Sequence, residues 1–361
     1  MAIDSPFFPP VDPETRRGLM VFLEERGVDP DRIAEAIRED SLWEVTTESL
    51  LATRNDLTAD ELAARAHLTP QQLRRVLQAL GLGEDSCSSE DVLIAAAGAA
   101  MVKMFNDEEA ALRLLRVVGA SIRRVAEASV AAYIADVEKP LVDADASLLA
   151  HAQAQAVAID GARRLADGFP HLFTRHLRDV ISRGRAARLQ TGDYTTARLA
   201  VGFVDLVGFS SLSQELTPAG LWNLLDEFED QSFETVAEHG GQLVKHIGDE
   251  IMFVVLEAEA ACEIALSLVD AFRDPETTVT PRGGLATGDL LTRDGDYYGV
   301  EVNLAARLAD IAVPQEILAS ADAKRLAEKD DVGHAFAFEP AGRRALKGFD
   351  VPVEVFSLSR G

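Results

Sequence analysis

The chain is poor in cysteine, in aromatic side chains and in positive charge, and it holds no long hydrophobic run. Its two cysteines, Cys87 and Cys262, stand far apart and in no metal-ligand spacing. They support neither a disulfide framework nor a thiolate metal site, and read as reduced thiols of a cytoplasmic protein. Lys and Arg number 35 against 60 Asp and Glu, a formal net charge of −25. That balance disfavours nucleic acid as a general partner, because neutralising phosphates dominates such binding. A single nucleotide needs only a few local cations and a metal, and stays open. The longest apolar stretch, near Val92 to Val102, is too short to span a bilayer. The N-terminus, MAIDSPFFPPVDPETRR, has no basic segment followed by an apolar one. No membrane span or targeting segment is expected. What remains is ample: 361 residues at 47% hydrophobic and 26% charged can build two or three ordinary cores.

The proline-rich first 14 residues read as extended. From there to about Gly192 the pattern is helical almost throughout. Leu19, Phe22 and Leu23 share one helix face that stops near Gly27, and a short amphipathic helix follows over Asp31 to Glu39. Two segments opening at Thr58 and Thr69 each carry a Thr cap with Glu61 or Gln72 three residues on. The pair resembles a helix-turn-helix. It would read DNA through Gln71, Gln72, Arg74 and Arg75, or serve only as a packing hairpin, which the charge favours. Glu108 to Val137 is a long amphipathic helix broken by Pro140. Another runs over Ser147 to Arg188, interrupted at Gly168-Phe169-Pro170, with an apolar stripe that asks for a partner helix. His171 and His176 on it either titrate near neutral pH or are exposed residues without a role.

The polar stretch RGRAARLQTGDY, residues 183–194, marks a boundary between a helical domain (1–182) and a second domain (195–361). Its shortness would couple the two. After it the pattern becomes α+β. Strands are expected over Arg198 to Val204, Gln242 to Val255 as a hairpin, Arg282 to Leu291, Glu316 to Ala319, His334 to Phe338 and Val353 to Leu358. Helices between them cover one face of a mostly antiparallel sheet.

Charges on apolar strands carry the chemistry. Asp205 ends the first strand in FVDLVGFS, and Asp249 sits at the Gly248-Asp249 turn of the hairpin. If the strands are neighbours, two carboxylates meet at one sheet edge and repel unless cations lie between them. Two Mg²⁺ ions would resolve this and would suit phosphoryl or nucleotidyl transfer. Gly208 would let backbone approach a phosphate. Asn303 and Arg307 lie four apart on one helix face, fit for a ribose oxygen and a phosphate gaining charge, or else an exposed polar stripe. Lys245 and Asp296 together could read a base edge, ammonium to ring nitrogen and carboxylate to exocyclic amine.

FVDLVGFS, KHIGDE and GDYYGVEVNLAAR, in this order and spacing, closely resemble class III adenylyl cyclases over residues 196–358. The resemblance implies a ferredoxin-like, palm-type α/β sandwich and conversion of ATP to cyclic AMP and pyrophosphate with two Mg²⁺ or Mn²⁺ ions. It implies metal binding by Asp205 and Asp249, adenine selection by Lys245 and Asp296, and a transition-state pair in Asn303 and Arg307. Lys347, in Leu346-Lys347-Gly348, is similar to the family's late phosphate-contacting lysine, and Ser210 stands where many members have Thr. The family's geometry implies a head-to-tail homodimer with shared sites. The helical half, with LLATR and its helix-turn-helix-like pair, looks like the regulatory domain of soluble actinobacterial, notably mycobacterial, cyclases. That implies control by a proton or a lipid. Two other readings stay open: a catalytically silent nucleotide-binding sensor, and a palm-type enzyme that makes cyclic dinucleotides.

Overall fold

The structure is a computed structural model that describes residues 12–39, 41–51, 55–84, 87–191, 196–209, 212–213, 216–272, 279–330 and 335–361. Residues 52–54 of LLATR, and Tyr194, Ser210 and His334, lie outside them. The chain forms two compact units, Met1–Thr174 and Arg175–Gly361.

The first unit is helical. It contains α1 (Pro13–Glu25), α2 (Pro30–Glu39), α3 (Leu42–Leu51), α4 (Ala59–Arg65), α5 (Pro70–Leu80), α6 (Asp91–Met104) and α7 (Glu108–Tyr133). Asp12 caps α1 by accepting from the N–H groups of Glu14 and Thr15. Thr58 and Thr69 each close a capping box with Glu61 and Gln72, so both expected starts are present. Leu19, Leu23, Ile33 and Val45 pack against Leu148, Ala152 and Ala156 in one core. The helix-turn-helix-like pair is committed to its own surroundings. Arg74 is held by Glu84, and Arg75 by Glu108 and Glu109. Two of the cations that DNA contact would need are thereby neutralised by carboxylates of the same unit.

Two expected breaks are not breaks. After α7 the helix widens into a π-helical turn, Ile134–Glu138, and continues as α8 (Lys139–Asp143), with Pro140 just past the widened turn. A half-buried network marks this turn. The Tyr133 hydroxyl donates to one Glu138 oxygen at 2.6 Å, and His151 Nδ1 lies 3.2 Å from the other. The next helix, α9 (Leu148–Thr191), continues unbroken through Pro170. Its sacrificed hydrogen bond lies on an exposed stretch, and Thr174 Oγ1 donates to the Pro170 carbonyl at 2.8 Å. The stretch read as a linker is therefore helical as far as Thr191.

The second unit is an eight-stranded sheet with helices on both faces. It comprises β1 (Thr196–Val207), α10 (Pro218–Glu238), β2 (Gln242–Ile247), β3 (Glu250–Val255), α11 (Ala258–Ala271), β4 (Thr280–Arg293) and β5 (Asp296–Tyr298). It continues with α12 (Val300–Ile311), β6 (Ile317–Ser320), α13 (Ala321–Asp330), β7 (Phe336–Arg344) and β8 (Val353–Arg360). Strand order is β2-β3-β1-β4-β6-β8-β7, with β5 paired to β4. Every pairing is antiparallel except β4 with β6. Ala200, Val204, Ile251, Phe253 and Leu285 face a core shared with Phe228 of α10 and most of α11. Val201, Phe203, Met252, Val254, Ala286 and Leu290 face the other way, against Ala305 and Ala309 of α12. The strand period of two thus divides each apolar strand between two cores, where helices on one face only were expected.

Two glycines set how closely α12 lies on the sheet. A Cβ at Gly284 would come 2.1 Å from the Ala305 carbonyl oxygen, and one at Gly288 would come 2.5 Å from Glu301 Cγ. No helix of the described residues is long and apolar enough to cross a membrane. Gly284→Val is expected to push α12 off β4 and to lower unfolding free energy by roughly 2–3 kcal/mol in urea titration. Gly240→Ala, in open space, would bear only its backbone strain.

Candidate active site

β1 lies between β3 and β4, and the register sets Asp205 opposite Glu250 on one flank and Arg282 on the other. All three have the parity of the residues packed under α12, so they form one cross-strand row on that face. Strand β1 runs two residues past Asp205 instead of ending there. Arg282 is the cation of the row. Its Nε and Nη2 donate to Asp205 Oδ2 at 3.0 and 2.8 Å, and Oδ1 takes neither bond. Its Nη1 donates to the carbonyls of Asp310 and Ala312 at 2.8 and 3.2 Å. In the sequence Arg282 is marked only as a lone guanidinium heading an apolar, glycine-rich strand.

Asp249 joins this row through the backbone. Gly248, at φ +68°, turns the β2–β3 hairpin, and the Asp249 carbonyl accepts from the Leu206 N–H at 3.3 Å. Burial, then the negative charge of Asp205, holds its carboxyl above the usual aspartate range, opposed by its own backbone N–H and by Arg282. Glu250 goes further, to about 7, through burial and then the charges of Asp205, Asp310 and Asp249. This end of the sheet carries more negative charge than Arg282 offsets. Among the described residues no group of three or more His, Cys, Asp or Glu side chains is arranged to hold a metal alone. Two converging carboxylates still suit a hard divalent cation, since Mg²⁺ takes one or two protein carboxylates and fills its shell from water and phosphate.

Lys245 reaches the same face by an irregularity. Gln242 pairs with Val254 and Leu243 with Phe253, but Lys245 pairs with Met252, so Val244 is an extra residue. Were the pairing regular through Val244, alternation would turn Lys245 to the side of Leu243, away from α12. The β-bulge re-aims the side chain, a known use of bulges. Lys245 Nζ then donates to Asp296 Oδ2 at 2.5 Å, and the Tyr297 N–H donates to Asp296 Oδ1 at 2.8 Å. β5 is hydrogen-bonded to β4 alone, yet the Tyr297 hydroxyl also reaches Gln242 of β2, donating to its Oε1 at 3.4 Å. Two predicted residues 51 positions apart are thus in direct contact.

Asn303 and Arg307 lie one turn apart on α12, with Asn303 exposed and Ala305, Leu308 and Ala309 buried between them and the sheet. Arg307 Nη1 donates to Asp310 Oδ2 at 2.6 Å. Lys347 is exposed between β7 and β8, and among the described residues no ion pair ties it to the other six. Gly208, at φ +88°, turns the chain just after β1, with open space beside it. Within one chain Lys245 meets Asp296 directly, and the turn bearing Asp249 is bonded to β1 next to Asp205; among the described residues no side-chain hydrogen bond or ion pair ties Asn303, Arg307 or Lys347 to either pair. A crevice beside Tyr297 is lined by Val180 and Arg183 of α9 together with Leu199, Gln242 and Val254. Burial raises the Tyr297 hydroxyl pKa, and Arg183 opposes it.

Residues 193–360 match the family described as the adenylate and guanylate cyclase catalytic domain, and the chain belongs to that family. A protein of Mycobacterium tuberculosis, Rv2212, is 33% identical over 367 residues, spanning 96% of this chain and 91% of its own. The adenylate cyclase of Glutamicibacter nicotianae is 29% identical over 336 residues, 86% of this chain and 81% of its own. A pH-sensitive adenylate cyclase of M. tuberculosis is 24% identical over 362 residues, 96% of this chain and 88% of its own.

Because Glu250 titrates higher when folded than when unfolded, its protonation favours the folded state. That contribution is complete below about pH 4.5 and is lost as pH rises through about 7. Denaturant titrations of the metal-free protein at pH 5 and pH 8 are expected to differ less in Glu250→Gln than in the parent.

Proposed function

We propose that the chain is an adenylate cyclase, converting ATP to 3′,5′-cyclic AMP and pyrophosphate at sites shared by two copies of the chain. The observation that carries this reading is the Lys245–Asp296 contact on the sheet face under α12. An ammonium can donate to the adenine ring nitrogen while a carboxylate accepts from its exocyclic amine, and guanine presents the reverse pattern at those positions. Relatives named adenylate cyclase, two of them spanning both halves of this chain, support it.

Asp205 and Asp249 would hold two divalent cations, Mg²⁺ or Mn²⁺. Such ions, when bound, lower the pKa of the ribose 3′-hydroxyl and neutralise the triphosphate. Arg307 would leave Asp310 for the α-phosphate and stabilise the charge that develops there, while Asn303 orients the ribose and Lys347 meets the phosphates. No side chain in the described site is placed as a general base, so the proton passes to water or to the substrate. The aspartates would come from one chain and Lys245, Asp296, Asn303 and Arg307 from its mate, in a head-to-tail homodimer.

The test is product analysis of purified protein with Mn²⁺ and ATP. Cyclic AMP is expected. Nucleotide binding without turnover would point to a silent sensor, and a cyclic dinucleotide to the other palm-type chemistry. Arg307→Ala should lose on the order of a hundredfold or more in rate. Mixing inactive Asp205→Ala with inactive Arg307→Ala should restore part of the activity, and no rescue would sink the shared site.

Residues 1–182 would regulate, 183–194 would couple, and 195–361 would catalyse, in a cytoplasmic protein. Support comes from the end of α9, which walls the crevice at Tyr297 beside the base-reading Asp296. The effector would be a proton or a lipid. Deleting residues 1–190 should change activity or its pH or lipid dependence; an unchanged profile refutes the regulatory role.

A further inference from the structure

Two side chains of β2 meet two consecutive residues of β5, although the strands share no ladder. Lys245 Nζ donates to Asp296 Oδ2 at 2.5 Å, and the Tyr297 hydroxyl donates to Gln242 Oε1 at 3.4 Å. Among the described residues these are the side-chain hydrogen bonds that join β5 to β2. The first of them cannot persist while the pair reads a base. An ammonium and a carboxylate at that distance have to part before a base edge fits between them. The tie between the two strands then falls to Gln242 and Tyr297.

Tyr297 is placed for that task. Its half-buried ring packs on the cluster that holds Ala197 and Leu199 of β1 and Val254 of β3. Its N–H donates to Asp296 Oδ1 at 2.8 Å, so its backbone orients the reading carboxylate directly. The ring also borders a crevice of about 230 Å³. Packing therefore encloses it on one side only, and the hydroxyl supplies a further hold. Gln242 and Lys245 stand on either side of Val244, and the bulge there sets both on the face of α12.

We infer that Gln242 and Tyr297 are positioning residues that keep β5 at a fixed reach from β2, and thereby set how strictly Lys245 and Asp296 tell adenine from guanine. The inference rests on the base-reading role proposed above and adds the two residues that keep it in register. Adenine offers a ring acceptor beside an exocyclic donor, and guanine the reverse. That reversal is read only while the ammonium and the carboxylate keep their spacing. If β5 drifts, Asp296 loses its grip on the adenine amine and its clash with the guanine carbonyl oxygen together. Discrimination is a difference of affinities, so it falls from both sides.

Tyr297→Phe removes the hydroxyl and keeps the ring. Gln242→Met keeps the length and removes the strong acceptor. Both are made in the full chain, with ATP and Mn²⁺ as substrates and GTP as competitor. In each variant the ratio of the GTP inhibition constant to the KM for ATP should fall about fivefold, the worth of one neutral hydrogen bond. KM for ATP should rise while kcat is nearly kept, because the metal aspartates and Arg307 are untouched. The double variant should be no worse than either single one, since the same bond is lost once. An unchanged ratio in either single variant overturns the inference, whatever happens to stability, because that residue would then serve packing alone. Losses that multiply in the double variant overturn the clamp, because the two residues would act separately. A parent chain that forms no cyclic AMP, or that binds GTP as well as ATP, overturns the base-reading role itself and the inference with it.

Discussion

Putting carboxylates on an apolar sheet is the constraint around which this catalytic unit is arranged. Asp205, Asp249, Glu250 and Asp310 gather at one end of it, and Arg282 is the cation set among them. Like charges on adjacent strands destabilise a sheet. Burial first, and then the charges of neighbouring carboxylates, leaves the carboxyl groups of Asp249 and Glu250 holding their protons more tightly than free ones do. Such a surface is poorly satisfied by itself and well matched to divalent cations and phosphates arriving together. Stability and ligand affinity are opposed here, and the fold tolerates the conflict because deep apolar clusters lie behind both faces of the sheet.

The other pair of charges is arranged by geometry. Lys245 would face the wrong core if the pairing of β2 with β3 ran regularly through Val244. The bulge there, and side chains that reach β2 from a short β5 paired to β4, bring Lys245 and Asp296 together. Close approach of α12, which Gly284 permits, then places Asn303 and Arg307 above the same face.

Much of this was legible in the sequence, for identifiable reasons. Period-two apolar segments announced β1, the β2–β3 hairpin and β4, and carboxylates interrupting them announced the site. Thr58 and Thr69 with their partners announced two helix starts, and spacing alone put Asn303 and Arg307 on one face. The illegible parts depend on tertiary context. A bulge leaves no local mark, because VKHI alternates as well in either phase. Arg282 is meaningful only once β4 is known to lie beside β1. The short β5 and the helices α3 and α13 carry too little periodicity to stand out. Pro170 was read as a break, but in α9 it costs a single hydrogen bond on an exposed stretch.

The hairpin has a genetic consequence. On the shared-site reading, loss of Asp249 alone spares one of the two sites when a damaged chain pairs with an intact one. Loss of the hairpin's shape removes Asp249 from one site and Lys245 from the other, so the mixed dimer has nothing left to work with. Lesions that disturb the turn at Gly248 or the bulge at Val244 would therefore behave as dominant, and lesions of single charges as recessive. Co-expressing damaged with intact chains and measuring cyclic AMP would tell the two classes apart.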